Sequence, residues 1–484
     1  MSADVDARAG MLKDTVRGAG WLGLGAGVVK ASQTIVLLIL AAILEPSALG
    51  VITIGALVLN VTGTITDFGT STALVHWRGD VHQAARTAMT MAIGIGITLT
   101  AGMWVAAPYL SAALGSGDLG TDVVRGLMLC LPFMALAEVS QELLRRAFAF
   151  RRRVVPDIIG ALAGAALSVG LALDGFGVYS LVAGQILQHV LALALLWILL
   201  PPVRPGWSRS DAAGLLRYGG NLAGANVVQL VMLNLDYVLV ARILGITALG
   251  IYSMSFRIAY MPVVLVTTVV LGAAFAYLCR LEGDDLGRAT GELTVALLSI
   301  VTPLYVGIGV LAPQIELLGE QWSPGVVALR WLAVYGVLAS LVALAAIVVA
   351  AAGRPRHTLA INLTHLVALA VALVALTGLG VSYVAFGQVL GAAVAAGVAV
   401  VLVARTVSGT RQARVGRRLL PPAAGAVAMV VAVELVAVAV PGPFVSVVGL
   451  LVTGTVAVVA YVAALVPVAR LLGEPIVPAL EADA

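Results

Sequence analysis

Apolar stretches of about 20 residues recur from one end of this 484-residue chain to the other, and that repetition decides what the chain can fold into. A stretch of that length crosses the hydrocarbon core of a bilayer as one α-helix, the form that satisfies every backbone hydrogen bond without water. With 61% hydrophobic and 11% charged residues, composition excludes a soluble globular domain. The apolar runs predict an all-α polytopic membrane protein of about 14 transmembrane helices. They lie near 19–43, 48–69, 87–113, 122–144, 156–173, 178–200, 219–241, 248–278, 290–313, 325–351, 358–377, 380–403, 420–440 and 444–468. The polar first 17 residues, with Arg8, Lys13 and Arg17 ahead of a run too long for a signal-peptide core, make the first helix its own insertion signal.

Loop charge tests the alternation. Arg78 and Arg86, Arg145 to Arg153, Arg204 to Arg217, Arg280 and Arg288, Arg354 and Arg356, and Arg405 to Arg418 all fall in alternate loops. The opposite loops are a few residues long and nearly free of cations, Arg242 excepted. The positive-inside rule then puts both termini in the cytoplasm. The net charge of +4 reports orientation here, and nucleic acid is not an expected partner.

The chain also repeats itself. Ile43-Leu44-Glu45-Pro46-Ser47-Ala48-Leu49-Gly50-Val51 returns as Ile243-Leu244-Gly245-Ile246-Thr247-Ala248-Leu249-Gly250-Ile251. Gly175-Phe176-Gly177-Val178 with Gly184-Gln185 returns as Gly378-Leu379-Gly380-Val381 with Gly387-Gln388. Arg125-Gly126-Leu127 has its counterpart in Arg330-Trp331-Leu332. Six spans per copy give both copies one orientation, so the repeats are parallel about an axis normal to the membrane. The expected organisation is a cytoplasmic segment (1–18), a first six-helix lobe (19–200), a linker (201–218) and a second lobe (219–404). A basic loop (405–419), two added helices (420–470) and a cytoplasmic tail (471–484) follow.

A charge at mid-membrane costs about 2.5–3.5 kcal/mol on insertion scales, so intramembrane ions mark candidate sites. Lys30 sits at the centre of the first span, on one helical face with Gly20, Gly23, Gly27 and Thr34, and with Gln33 beside it. The seventh span carries Asn226, Gln229 and Asp236 on one face, with Asn221 and Asn234 nearby. Such amides either hydrogen-bond a ligand or glue helices together. Arg257 lies in span eight with Ser253 and Tyr260 on its face, and an arginine suits bidentate phosphate recognition. Arg125 and Arg330 stand near the outer boundary, where ligand contact and snorkelling are both open readings. The carboxylates Glu138, Asp67 and Asp236 are candidates for ion coupling or counterions of these cations, and Glu434 lies outside the repeats. His189 and His365 lack metal-pair spacing, and Cys130 and Cys279 fall inside spans, so neither a metal site nor a disulfide framework is expected. No nucleotide-binding or hydrolytic motif appears, and the absent catalytic residues argue for a transporter without a cofactor.

The Leu-Glu-Pro-Ser-Ala-Leu-Gly junction, Thr66-Asp67-Phe68-Gly69, the arginine loop 145–153, Gly175 to Val182 and Asn234-Leu235-Asp236-Tyr237-Val238-Leu239-Val240 occur in an order that resembles the polysaccharide transporter branch of the MOP flippase superfamily, the Wzx-like oligosaccharide flippases. The resemblance spans helices one to twelve. It implies two six-helix lobes forming a V around a central cavity, alternating access, and a polyprenyl-pyrophosphate-linked oligosaccharide moved from the cytoplasmic to the outer leaflet of the bacterial cell membrane. It further implies that Lys30 and Arg257 hold the diphosphate and the span-seven amides hold the glycan. Proton or sodium coupling, and other polysaccharide-assembly membrane proteins as partners, are part of the same expectation. A MurJ-like lipid II flippase, a MATE-like cation-coupled exporter and, more remotely, a membrane glycan polymerase are the rival readings. An exporter of cationic drugs would favour cavity carboxylates, and a polymerase would need a large outer loop that this chain lacks.

Overall fold

Helix covers most of the described part of the expected spans in the computed structural model, which describes residues 21, 23, 25, 27–67, 70–407, 417–439 and 446–472, a few of them by backbone alone. The expected N-terminal segment, most of the basic loop 405–419 and the tail lie outside the described residues. The helices are α1 (Gly27–Ile43), α2 (Pro46–Asp67), α3 (Thr70–His76), α4 (Val81–Ala113), α5 (Gly117–Met128), α6 (Cys130–Arg146), α7 (Phe150–Leu173), α8 (Tyr179–Leu199) and α9 (Arg209–Leu244). They continue as α10 (Ile246–Pro262), α11 (Thr268–Leu278), α12 (Gly283–Val310), α13 (Gly325–Ala351), α14 (Pro355–Leu376), α15 (Val381–Thr406), α16 (Leu420–Ala439) and α17 (Val447–Leu472). Among the described residues, ten helices are long and apolar enough to cross a membrane, and Gly27–Ile43 and Leu420–Val436 are shorter apolar helices. The protein is a multi-pass, all-helical membrane protein.

Three departures from the apolar pattern have local causes. The fourth span breaks at Leu129 into α5 and α6, because the ring of Pro132 cannot accommodate a helical bond to the carbonyl four residues earlier. That carbonyl, on Met128, instead receives the Thr100 hydroxyl of α4 at 3.4 Å. The eighth span carries a π-helical turn, Val263–Thr267, directly after Pro262, again where proline removes a ladder bond. The short α3 was expected as loop; its seven residues are too few for a hydropathy signal. Polar ends extend several helices beyond their apolar cores. Asp80 caps α4 by accepting from the backbone N–H groups of His82 (2.9 Å) and Gln83 (3.2 Å), and Ser208 caps α9 by accepting from Asp211 N at 3.3 Å.

The chain divides into two compact units, Met1–Gly250 and Ile251–Ala484. In the first, Ala73, Leu74, Ala85, Met89, Val139 and Leu215 bury a core shared by α3, α4, α6 and α9. Lipid is as apolar as leucine, so helix association here depends on close packing of small residues. Gly164 and Gly184 provide it between α7 and α8, where a Cβ on either residue would strike the other's carbonyl oxygen. The segment 201–208 lies along α4: Thr90 Oγ1 donates to Gly206 O (2.7 Å) and accepts from Gly206 N (3.0 Å), and Ser208 N donates to Thr87 Oγ1 (3.2 Å).

The second unit is organised around α13, which packs on α12, α14 and α15. Leu293, Leu297, Val301 and Tyr305 of α12 meet Ala333, Leu344 and Val348 of α13 in its main core. The hairpin of α16 and α17 packs on α12 through Met429, Val433, Ala457 and Tyr461, whose hydroxyl donates to Ser299 O at 3.2 Å.

Candidate functional site

The first unit holds Lys30, Gln33, Asp67, Arg125, Glu138, Asn226, Gln229 and Asp236; the second holds Arg257 and Arg330. Lys30 is exposed on α1, and Thr34 one turn on donates its hydroxyl to the Lys30 carbonyl at 2.9 Å. That bond ties the threonine to its own helix. Gln33 is half-buried. Asp236 of α9 is buried, 1% exposed, and its Oδ1 accepts from Tyr237 N at 2.9 Å. Glu138 of α6 is half-buried. The side chains of Asn226, Gln229 and Asp67 lie outside the described residues, although their backbones fall in α9 and at the end of α2.

Arg125 is bound to α4. Its Nε donates to Trp104 O at 3.3 Å, and its guanidinium lies 5.7 Å from the centre of the Trp104 ring. Of the two open readings, this contact supports an interfacial clip between α4 and α5. Its repeat counterpart Arg330 is exposed on α13, beside Trp331, which packs on Phe386 with ring centres 4.8 Å apart.

Arg257 is half-buried on α10 and takes part in no ion pair among the described residues. An aromatic row supports its helix: Tyr252, Phe256 and Tyr260 follow at single-turn spacing, with Phe256 stacked on Tyr260 at 5.5 Å and tilted against Tyr335 of α13 at 6.0 Å. Gln388 of α15 donates to the Tyr252 hydroxyl at 3.2 Å. These contacts fix α10 against α13 and α15, so the guanidinium stands on a rigid support. A planar cation held this way matches a phosphate or pyrophosphate oxygen pair.

The hairpin of α6 and α7 holds a polar cluster that loop charge alone did not reveal. Glu142 is 2% exposed and pairs with Arg145 Nη1 at 3.2 Å and Arg153 Nη2 at 3.5 Å. Gln141 Nε2 donates to both Asp157 oxygens at 3.1 and 3.2 Å, and Arg146 Nη1 donates to the carbonyls of Leu74 (2.7 Å) and Val75 (2.9 Å). Of the arginines that looked like topology anchors, Arg153 therefore also joins α7 to α6, Arg145 pairs within α6, and Arg146 ties α6 to α3. The available signal was the spacing of Glu142 to Arg145 and Arg153 to Asp157. Among the described residues, no three His, Cys, Asp or Glu gather as a metal site would require.

This architecture is shared with solved transporters. The lipid II flippase MurJ in an inward closed conformation superposes with TM-score 0.73 at 10% identity, covering 93% of this chain and 99% of that one. An inward-facing multidrug resistance MATE transporter of the MOP superfamily gives TM-score 0.56 at 16% identity, covering 83% and 95%. The fold is therefore like that of these MurJ and MATE structures. Residues 39–327 match the family described as polysaccharide biosynthesis protein, and the chain belongs to that family.

Its relatives include the succinoglycan biosynthesis transport protein ExoT of Rhizobium meliloti (strain 1021), 25% identical over 316 residues, with 64% of each chain covered. The lipopolysaccharide biosynthesis protein WzxC of Escherichia coli (strain K12) is 22% identical over 338 residues, 67% of this chain and 68% of that one. The teichuronic acid biosynthesis protein TuaB of Bacillus subtilis (strain 168) is 23% identical over 285 residues, covering 57% and 58%. The matched region thus spans about two-thirds or less of these curated relatives.

Proposed function

We propose that this protein is a flippase that carries a polyprenyl-pyrophosphate-linked oligosaccharide from the cytoplasmic to the outer leaflet by alternating access, for cell-surface polysaccharide synthesis. The observation that carries the reading is that each unit places a cation in an apolar helix, Lys30 on α1 and Arg257 on α10, in a chain of the polysaccharide biosynthesis family. Each costs about 2.5–3.5 kcal/mol to place there on insertion scales, a cost that a pyrophosphate ligand offsets. The lysine supplies a mobile point charge and the arginine a planar two-donor fork, and each suits phosphate oxygens. Gln33, Asn226 and Gln229 hydrogen-bond sugar hydroxyls, while Arg125 and Arg330 stand at the outer exit. The polyprenyl tail stays in the bilayer.

In this proposal fourteen crossings place both termini in the cytoplasm, with six-helix lobes at 19–200 and 219–404 and two added helices at 420–470. Glu138, Asp67 and Asp236 are the carboxylates that take up a coupling proton or sodium ion, Asp236 foremost because it is buried on α9. No chemical bond is made or broken, so no catalytic residue is assigned.

The test is deletion of the gene in its host, followed by mass spectrometry of extracted lipids and leaflet assignment with a sugar-modifying enzyme added outside. The reading expects a pyrophosphate-linked oligosaccharide trapped on the cytoplasmic side. Accumulation of a peptidoglycan precursor would favour a MurJ-like role. An unchanged lipid profile with altered sensitivity to toxic compounds would favour a MATE-like exporter.

A further inference from the structure

Three hydroxyls are buried together where the eighth span changes its winding. The helix α10 ends at Pro262, which has no N–H to donate, and the π-helical turn Val263–Thr267 follows. Thr267, the last residue of that turn, is buried, and its Oγ1 lies 3.0 Å from the Oγ of buried Ser340 on α13. Ser340 in turn donates to the Gly336 carbonyl one turn back at 2.9 Å. Tyr305 of α12 supplies the third hydroxyl. Its ring tip lies over Gly336, where an added Cβ would stand 2.0 Å from Cε1 and 2.6 Å from Oη. Tyr305 is 1% exposed, and its Oη faces Ser340 and the Val263 carbonyl. Among the described residues that oxygen makes no hydrogen bond. A buried polar group left unpaired costs about 1–3 kcal/mol, a cost that phenylalanine would avoid in the same space.

We infer that the Tyr305, Ser340 and Thr267 hydroxyls, with the Val263 carbonyl, form a sodium-ion site. The donors are all oxygen, which suits a hard cation. None of the four residues carries a carboxylate, so a divalent ion would lack counter-charge, whereas a single positive charge is within reach of oriented dipoles. The interrupted span supplies those dipoles: the C-terminal end of α10 is the negative end of its macrodipole and lies at the turn. Broken membrane helices hold sodium through such half-helix ends and unwound carbonyls. Oxygens 2.9 and 3.0 Å apart close around the smaller of the two common alkali ions. Ser340 already directs its proton to Gly336, which leaves its lone pairs for the ion. The site uses none of the residues assigned to substrate or to carboxylate coupling, so it stands apart from the transport reading.

The test uses purified full-length protein without lipid-linked sugar, titrated with sodium chloride against potassium chloride at constant ionic strength. Tm and the uptake of radioactive sodium are read together. The wild type is expected to bind a single sodium ion per chain and to gain Tm saturably, with potassium inactive. Tyr305→Phe and Ser340→Ala are expected to raise the half-saturating sodium concentration roughly tenfold or more at unchanged monodisperse yield, the equivalent of about 1.4 kcal/mol. Thr294→Val, which removes a hydroxyl bonded within α12, should keep the wild-type response. In potassium alone Tyr305→Phe should be at least as stable as the wild type, because it removes an unpaired hydroxyl. Equal shifts with both salts, or wild-type binding by Tyr305→Phe, would overturn the inference. So would a Tyr305→Phe protein that is destabilised in potassium, since the hydroxyl would then serve packing alone. Loss of sodium binding in Asp236→Asn with Tyr305→Phe unaffected would also overturn it and assign the ion to the carboxylates.

Discussion

Gly50 and Gly250, equivalent positions in the two copies of the repeated junction, pack against each other's segments: a Cβ on Gly50 would run into the Ile246 carbonyl oxygen, and a Cβ on Gly250 into that of Pro46. The contact is reciprocal. It explains why both copies of Ala-Leu-Gly end in the residue without a side chain. The backbone of each helix start fills the space a methyl group would need.

Gly250→Ala is therefore expected to be costly, about 1–3 kcal/mol for an overpacked backbone contact. The matched control is Gly102→Ala on α4, where nothing lies within 4 Å of the added carbon. Thermal unfolding in detergent should show a lowered Tm for the first and an unchanged or slightly raised Tm for the second. Equal behaviour of the two would contradict the packing.

Glu142→Ala leaves Arg145 and Arg153 without the buried carboxylate they share, and removing one partner of a buried pair costs about 3–5 kcal/mol. Arg145→Ala should cost much less, because Arg153 still pairs with the carboxylate and Arg145 is partly in solvent. Folded yield by fluorescence size-exclusion chromatography separates the two.

Thr90→Val deletes the two hydrogen bonds of Gly206 to the Thr90 hydroxyl, at about 0.5–1.5 kcal/mol each, and leaves the one from Gly206 N to the Arg86 carbonyl (3.2 Å). The segment 201–208 should then exchange its amide hydrogens faster, with α7 and α8 unaffected. Hydrogen exchange with mass spectrometry reads this directly.

Arg125→Ala and Trp104→Ala both remove the cation–π contact between α4 and α5, while the hydrogen bond to the Trp104 backbone carbonyl is lost only with Arg125→Ala. A double-mutant cycle on Tm should give a coupling energy of about 0.5–1 kcal/mol. A coupling of zero would show that the stacked geometry contributes nothing to folding.

The helices were legible because bilayer thickness imposes one length scale on every span, and the breaks were not, because they depend on single prolines. Pro132 and Pro262 sit in apolar runs whose hydropathy never dips. Only the orphaned carbonyl of Met128, met by Thr100, shows why the helix yields there. The candidate cations were legible for the same reason as the spans, since Lys30 and Arg257 are conspicuous in an apolar context. What stayed hidden was how charges are shared between helices. Arg153 reaches the buried Glu142 carboxylate across the turn between α6 and α7, and Arg125 reaches a tryptophan 21 residues earlier, contacts that no local spacing rule encodes.

The central claim is that Lys30 binds the substrate's diphosphate, and the direct measurement is complementation of the deletion strain with matched membrane levels of wild type, Lys30→Ala and, as a basic residue remote from the proposed site, Arg405→Ala. Lipid-linked oligosaccharide remaining in the cytoplasmic leaflet is quantified in each. The account predicts clearance by wild type and Arg405→Ala and persistent accumulation with Lys30→Ala, the protein remaining folded. Clearance by Lys30→Ala at the wild-type rate would contradict it.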